Sequence, residues 1–171
     1  LNRQGYFTIR GIKLGVNEID LLAVKLGQNG KVECRHVEVQ ASMRPVSYIS
    51  RVPKEIQRNG KAANSVARST EELVDGVVEW VDKKFRSDKK KTLMQTLWQG
   101  SWSSELVLNV VKSQDEVDLI LGHGVKVHWL KDIITLLADG EFPVKSAAGA
   151  DLIDLIHLGA YVQQRTQDPS S

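Results

Sequence analysis

Three side chains with acid or amide groups, Asp20, Glu38 and Gln40, are spaced to meet at one edge of a β-hairpin. With a strand's period of two, Glu18 and Asp20 share one face of the run Gly15–Val24, while Ile19, Leu21 and Ala23 take the other. In His36–Gln40 the residues Glu38 and Gln40 share a face with His36, and Val37 and Val39 lie opposite. Between the two runs, Gly27-Gln28-Asn29-Gly30 is a strong hairpin signal that folds the second back on the first. Carboxylates on otherwise apolar strands need a reason, because a buried carboxylate is costly unless it is paired or binds a metal. Two readings are open at this point. The oxygens hold a divalent cation, or they face solvent on a hairpin whose apolar residues point inward, at the cost of repulsion between like charges.

The segments Asn17-Glu18-Ile19-Asp20-Leu21-Leu22-Ala23 and Val37-Glu38-Val39-Gln40 resemble the hairpin motif of the PD-(D/E)XK nuclease superfamily, often Gly-Glu-Ile-Asp-Leu-Ile-Ala followed by Val-Glu-Val-Lys. The order of elements follows that family over roughly residues 1–138. The resemblance implies an α/β, restriction-endonuclease-like fold: a mixed central sheet flanked by helices, here with a C-terminal helical extension. It implies a metal-dependent endonuclease acting on DNA, with Asp20 and Glu38 as catalytic carboxylates and ligands of Mg2+ or Mn2+. The Val39 carbonyl would be a third oxygen, Gln40 would position the attacking water, and Glu18 would either bind a second ion or simply face solvent. One departure is plain, since Gln40 stands where lysine is usual. An amide orients a water but brings no positive charge.

A polyanionic partner also fits the distribution of charge. The net charge is only +2, yet residues 43–69 carry Arg44, Arg51, Lys54, Arg58, Lys61 and Arg68 against Glu55 alone, which leaves the remainder of the chain net negative. Basic residues beside an acidic hairpin suit phosphates held over a cation, so Arg44, Arg51, Lys54, Arg58 and Lys61 are candidate nucleic-acid contacts. The simpler alternative is a solvated loop. DNA is the expected partner, with RNA left open. Trp98 and Trp102 flank Gly100 and could stack on bases, although core packing is the more ordinary role of tryptophan.

The elements that must position these groups are legible from spacing. Leu1–Gln4 reads as the last turn of a helix closed by Gly5, and Tyr6–Ile9 as a strand. Strands are expected at Asn17–Leu26 and Lys31–Ala41, with irregular structure over 43–68 around Pro45, Pro53 and Gly60. Ser69-Thr70-Glu71-Glu72 is a capping box, and Leu73, Val74, Val77, Val78, Val81 and Phe85 come after it at helical spacing. Lys83, Lys84 and Arg86 sit at that helix's C-terminal end, where its dipole favours cations. A short helix over Thr92–Gln99, a buried strand over Glu105–Val111, a second capping box at Ser113–Glu116, a strand over Val125–Trp129 and a helix over Lys131–Ala138 complete the core. This alternation implies a mixed sheet with a parallel crossover. Residues 1–140 form the expected domain; 141–171 add a helix over Ala147–Val162, able to pack on the core or make a homodimer, and a polar tail.

Composition excludes some classes. A chain of 171 residues with 42% hydrophobic and 26% charged residues is one globular domain with a substantial core. Nothing approaches the ~18 consecutive apolar residues of a membrane span, so cytoplasmic residence without membrane association is expected. Cys34 is the single cysteine, which leaves no internal disulfide and no cysteine-based zinc site. His123, His128 and His157 have no ligand spacing, and neither a phosphate-binding loop nor a Gly-x-Ser-x-Gly elbow is present. Two alternatives to a nuclease remain: a non-catalytic nucleic-acid-binding module on the same fold, and an assembly protein whose C-terminal helix mediates self-association.

Overall fold

A computed structural model describes residues 1–27, 30–42 and 44–139. Phe7–Leu14 (β1), Asn17–Leu26 (β2) and Val32–Gln40 (β3) form an antiparallel meander, and Trp102–Leu108 (β4) and Lys126–Trp129 (β5) extend it in parallel. The sheet order is β1-β2-β3-β4-β5. Parallel neighbours need crossovers. Between β3 and β4 the chain runs through Lys54–Arg58 (α1), Thr70–Val81 (α2) and Asp88–Leu97 (α3); between β4 and β5 it runs through Gln114–Gly122 (α4), and Leu130–Asp139 (α5) comes directly after β5. The mixed sheet with flanking helices is the architecture the alternation predicts. Among the described residues no helix is long and apolar enough to cross a membrane.

Helix α2 starts where the capping box places it. Ser69 Oγ accepts from the Glu72 amide at 3.2 Å, and the Glu72 carboxylate accepts from the Ser69 amide at 2.8 Å. Its inward residues Val77 and Val81, with Phe85 beyond, bury against Leu106 and Leu108 of β4 and Val117 and Ile120 of α4. After Val81 the helix widens into a π turn over Asp82–Arg86. An extra residue in a turn rotates the rest of the helix, so Lys84 and Phe85 do not continue the simple α register. Helix α3 begins at Asp88, ahead of the expected Thr92, and buries Lys90 together with Met94, four residues apart on one face.

Two local expectations are corrected. Strand β1 runs to Leu14 instead of ending near Ile9. The strict alternation expected in β2 also breaks: Ile19 and Leu22, three residues apart, join one apolar cluster with Met94, Ile12 and Leu14. The β1–β2 register passes over Gly11 opposite Asp20, and Gly11 has a φ of 64°, a conformation that costs glycine little and other residues much. The kink there lets residues of opposite parity reach the same core, so Ile19 does not group with Leu21 and Ala23.

The second capping box forms by half. Ser113 Oγ accepts from the Glu116 amide at 3.3 Å, but the fully buried Glu116 carboxylate instead accepts from Ile49 N at 2.6 Å, Ser50 N at 2.8 Å and Ser50 Oγ at 2.5 Å. A carboxylate taking three such bonds satisfies the cost of its own burial and fixes the segment after β3 on α4. Arg68 reinforces it, donating to Ser50 O at 3.1 Å with its guanidinium 4.2 Å over the Tyr48 ring.

Gly76 of α2 packs so close to this segment that a Cβ would lie 2.6 Å from the Arg51 carbonyl oxygen. In a helix interior alanine ordinarily gains about 1 kcal/mol over glycine. Here Gly76→Ala is expected to lose about 1–3 kcal/mol, through the overpacking it forces against backbone. Urea unfolding checks this; a midpoint at or above wild type would show that the segment gives way freely.

The helix expected over Ala147–Val162, the tail after it and any self-association built on them lie outside the described residues, as do Gln28, Asn29 and Met43.

Candidate metal and nucleic-acid site

The β2–β3 ladder runs from the Leu26–Val32 pair to the Leu21–Val37 pair and stops there. Where the next backbone bond would fall, the Asp20 side chain takes over: its Oδ2 accepts from the Val39 amide at 2.7 Å. A buried or edge amide needs a partner, and a carboxylate is a strong one. The kink at Gly11 and Asp20 thus places the Asp20 carboxylate against the peptide after Glu38. The Asp20 carboxylate thus meets the backbone next in sequence to Glu38.

Glu38 itself is not open to solvent. It is 1% exposed, and its carboxylate accepts from three donors: His36 Nε2 at 2.8 Å and Lys90 Nζ at 2.6 Å on Oε1, and Lys84 Nζ at 2.8 Å on Oε2. Burial pushes this carboxyl upward, but the bonds from His36, Lys84 and Lys90 outweigh it and hold the group at about 2 against an ordinary 4.5. Lys90 is equally buried and donates its other bond to the Lys84 carbonyl at 2.8 Å. The His36 ring stands edge-on to Phe85, with centroids 5.0 Å apart. His36, expected to share the face of Glu38, touches it directly.

The two lysines are the residues that sequence reasoning missed. Local logic assigned Lys84 to the helix dipole, which accounts for its sign but not its place. A signal was present: Lys84 lies seven and three residues beyond Val77 and Val81, and Lys90 precedes Met94 by four, so both sit at core-facing spacings. A lysine on an apolar stripe implies a buried carboxylate elsewhere.

The other sequence candidates are more dispersed. Gln40 is half-buried at the end of β3, in register with Leu108. Val39 is 45% exposed, while Glu18 is exposed. Arg44, Arg51, Lys54 and Arg58 are exposed. Asn109 Nδ2 donates to Ser42 O at 2.9 Å and Val46 bridges to Val111, which ties the segment around Arg44 to the end of β4, beside Gln40. Lys61 spends its charge on the Glu72 carboxylate at 2.5 and 2.7 Å. Trp102 packs in the Ile19 cluster and its indole nitrogen donates to Trp98 O at 3.2 Å; Trp98 is 43% exposed.

A second buried carboxylate lies on the other face. Glu105 of β4 registers with Val37, one residue out of phase with Glu38, and accepts from Arg35 Nε at 2.8 Å and Nη2, Ser103 Oγ at 2.6 Å and His128 Nε2 at 2.8 Å. Burial raises this carboxyl too, and His128, Arg35 and Ser103 bring it down to about 2. His128, without ligand spacing in the sequence, serves as a hydrogen-bond donor across β4 and β5.

Asp20 and Glu38 carry carboxylate oxygens, the donors hard cations take, and both oxygens of Glu38 are bonded to His36, Lys84 and Lys90. Among the described residues no three or more His, Cys, Asp or Glu side chains gather into a metal-holding group.

Comparison with protein families and with curated proteins finds no match. Among solved structures, the chain is similar to the crystal structure of a protein of unknown function, AF1548, at 13% identity and a TM-score of 0.37, over 75% of this chain. The chain spans about half the length of that protein, 51% of it.

Proposed function

We propose that the chain is a divalent-metal-dependent nuclease that binds DNA and cleaves phosphodiester bonds at the end of the sheet where β2 and β3 part. The observation that supports this reading is the bond from the Val39 amide to the Asp20 carboxylate, which sets Asp20 against the peptide between Glu38 and Val39. When bound, Mg2+ or Mn2+ would lower the pKa of a bound water and neutralise phosphate oxygens. Asp20 and Glu38 would hold it, with the Val39 carbonyl as a further oxygen. Gln40 orients the attacking water through its amide, and it lacks the charge of a lysine. Lys84 and Lys90 supply that charge from the helical layer, next to Glu38. Arg44, Arg51, Lys54 and Arg58 hold the polyanion by its phosphates, without reading bases.

The reading is tested by incubating purified protein with plasmid, linear, branched and single-stranded DNA, and with RNA, while titrating Mg2+ or Mn2+. Metal-dependent cuts in at least one substrate are expected. Salt-dependent binding without any cut would leave the non-catalytic module. The binding part has its own prediction. Neutralising Arg44, Arg51, Lys54 and Arg58 together should weaken duplex binding for all sequences and flatten its log–log salt dependence by up to about 0.9 per lost phosphate contact. An unchanged slope would reduce this segment to an ordinary solvated loop.

A further inference from the structure

A shallow groove runs along the outer side of α3. Lys91, Thr92, Gln95, Thr96 and Gln99 line it, and from Lys89 to Ser104 the chain holds no Asp or Glu. Lys90 is bonded to Glu38, which leaves Lys89 and Lys91 as the exposed cations of the helix's first turn. At the other end stands Trp98, 43% exposed, although tryptophan ordinarily buries most of its surface. Its backbone is fixed on both sides: its amide donates to Met94 O at 2.9 Å, and its carbonyl accepts from Trp102 Nε1 at 3.2 Å. A Cβ at Gly100 would lie 3.2 Å from Cδ1 and Nε1 of the indole, so the ring rests against that glycine. The Gly100 carbonyl is held in turn by Gln95 Nε2 at 3.1 Å. An exposed indole is thus fixed at the end of a groove without carboxylates.

We propose that this side of α3 binds a single strand of nucleic acid, with phosphates on Lys89 and Lys91 and a base stacked on Trp98. The inference goes beyond the nuclease reading, because it needs neither a cation nor a cut. It is also separate from Arg44, Arg51, Lys54 and Arg58, which hold a duplex by its phosphates. An acid-free groove with cations at one end suits a polyanion, and the amides and hydroxyls of Thr92, Gln95, Thr96 and Gln99 suit the polar edges of sugars and bases. The indole decides between single and double strands. A base stacks on an aromatic side chain only when its own face is open, as in an unpaired strand; in a duplex the neighbouring bases cover it. From Lys91 to Trp98 the helix rises about 10 Å, a distance that a short stretch of extended strand bridges.

Fluorescence anisotropy of labelled oligothymidylate, oligouridylate and a DNA duplex of equal length tests this on the full chain in EDTA, where no cut intervenes. Trp98→Ala should weaken binding of at least one of the two single strands about tenfold and leave duplex binding at the wild-type level, while Trp98→Phe keeps most of the affinity. Lys91→Gln should flatten the single-strand salt dependence by about 0.7 in log–log slope for the phosphate contact it loses. A second readout needs no variant. Irradiation of wild type bound to an oligonucleotide carrying iododeoxyuridine should crosslink it to Trp98, as read by peptide mass spectrometry. No single-strand binding by wild type, unchanged affinity of both single strands in Trp98→Ala, or crosslinks confined to residues outside Lys89–Trp102 overturns the surface and leaves Trp98 to a protein contact. Equal losses on single strand and duplex overturn it as well, since the contact would then not select unstacked bases. Single-strand binding through Trp98 in a chain that cuts no DNA in Mg2+ or Mn2+ keeps this inference and removes the nuclease; cutting without that binding does the reverse.

Discussion

Lys90→Met is expected to destabilise the chain by about 3–5 kcal/mol, the usual cost of removing one partner from a buried ion pair. Methionine keeps the length of the stem and its packing beside Met94, so the loss isolates the ammonium. The variant retains a Glu38 carboxylate at 1% exposure with only His36 and the partly exposed Lys84 to compensate it. The Lys84 carbonyl loses its lysine donor as well, which loosens the π turn. Adding Glu38→Gln should restore much of the loss, because the uncompensated charge is then gone; the double-mutant cycle measures that coupling. Urea unfolding of the four proteins checks it. Additive losses in the cycle would mean that the pair, although 2.6 Å apart, contributes nothing as a pair.

Acid should unfold the protein through two carboxylates on opposite faces of the sheet. Glu38 and Glu105 each sit at about 2 in the fold against an ordinary 4.5, as the donors around them outweigh burial. A depressed folded value adds stability that is fully present above the unfolded value and is lost as pH falls through the folded one. On the order of 3 kcal/mol for each should therefore disappear between about pH 4.5 and pH 2, and little change is expected from these groups above that window. Glu105→Gln should remove roughly half of the slope. An unfolding midpoint that stays level from about pH 5 down to pH 2.5 would show that neither carboxylate is held as the geometry requires.

Much of the fold was legible because it is built from local signals. The capping box at Ser69, the apolar stripe behind it and the extent of β2 are properties of short windows, and each element formed close to where its window places it. The candidate site was legible only in its hairpin half. Asp20 and Glu38 announced themselves as acids on apolar strands, but their partners lie far along the chain, with Lys84 and Lys90 separated from Glu38 by 46 and 52 residues. Glu116 misled for the opposite reason, since a capping box predicts its backbone role and says nothing about a carboxylate drawn away by Ile49 and Ser50. The kink at Asp20 was hidden because period-two reasoning assumes an unbroken pleat, and Gly11, the residue that permits the break, lies on the neighbouring strand. Polar pairing across layers is a tertiary fact. Its only trace in sequence is a charged residue standing where an apolar one belongs.

Asp20 offers the most direct test of the nuclease reading. In Asp20→Asn the amide oxygen can still accept from the Val39 amide, so the join between β2 and β3 is kept and one negative charge is removed from the reach of the proposed cation. The measurement is nicking of supercoiled plasmid in Mg2+ or Mn2+ by wild type and Asp20→Asn prepared in parallel, with unfolding curves to confirm that both are folded. Metal-dependent nicking by wild type, lost in a folded Asp20→Asn that still binds the plasmid, is the predicted result. Equal nicking by both proteins, or none by wild type at any metal concentration, would contradict it.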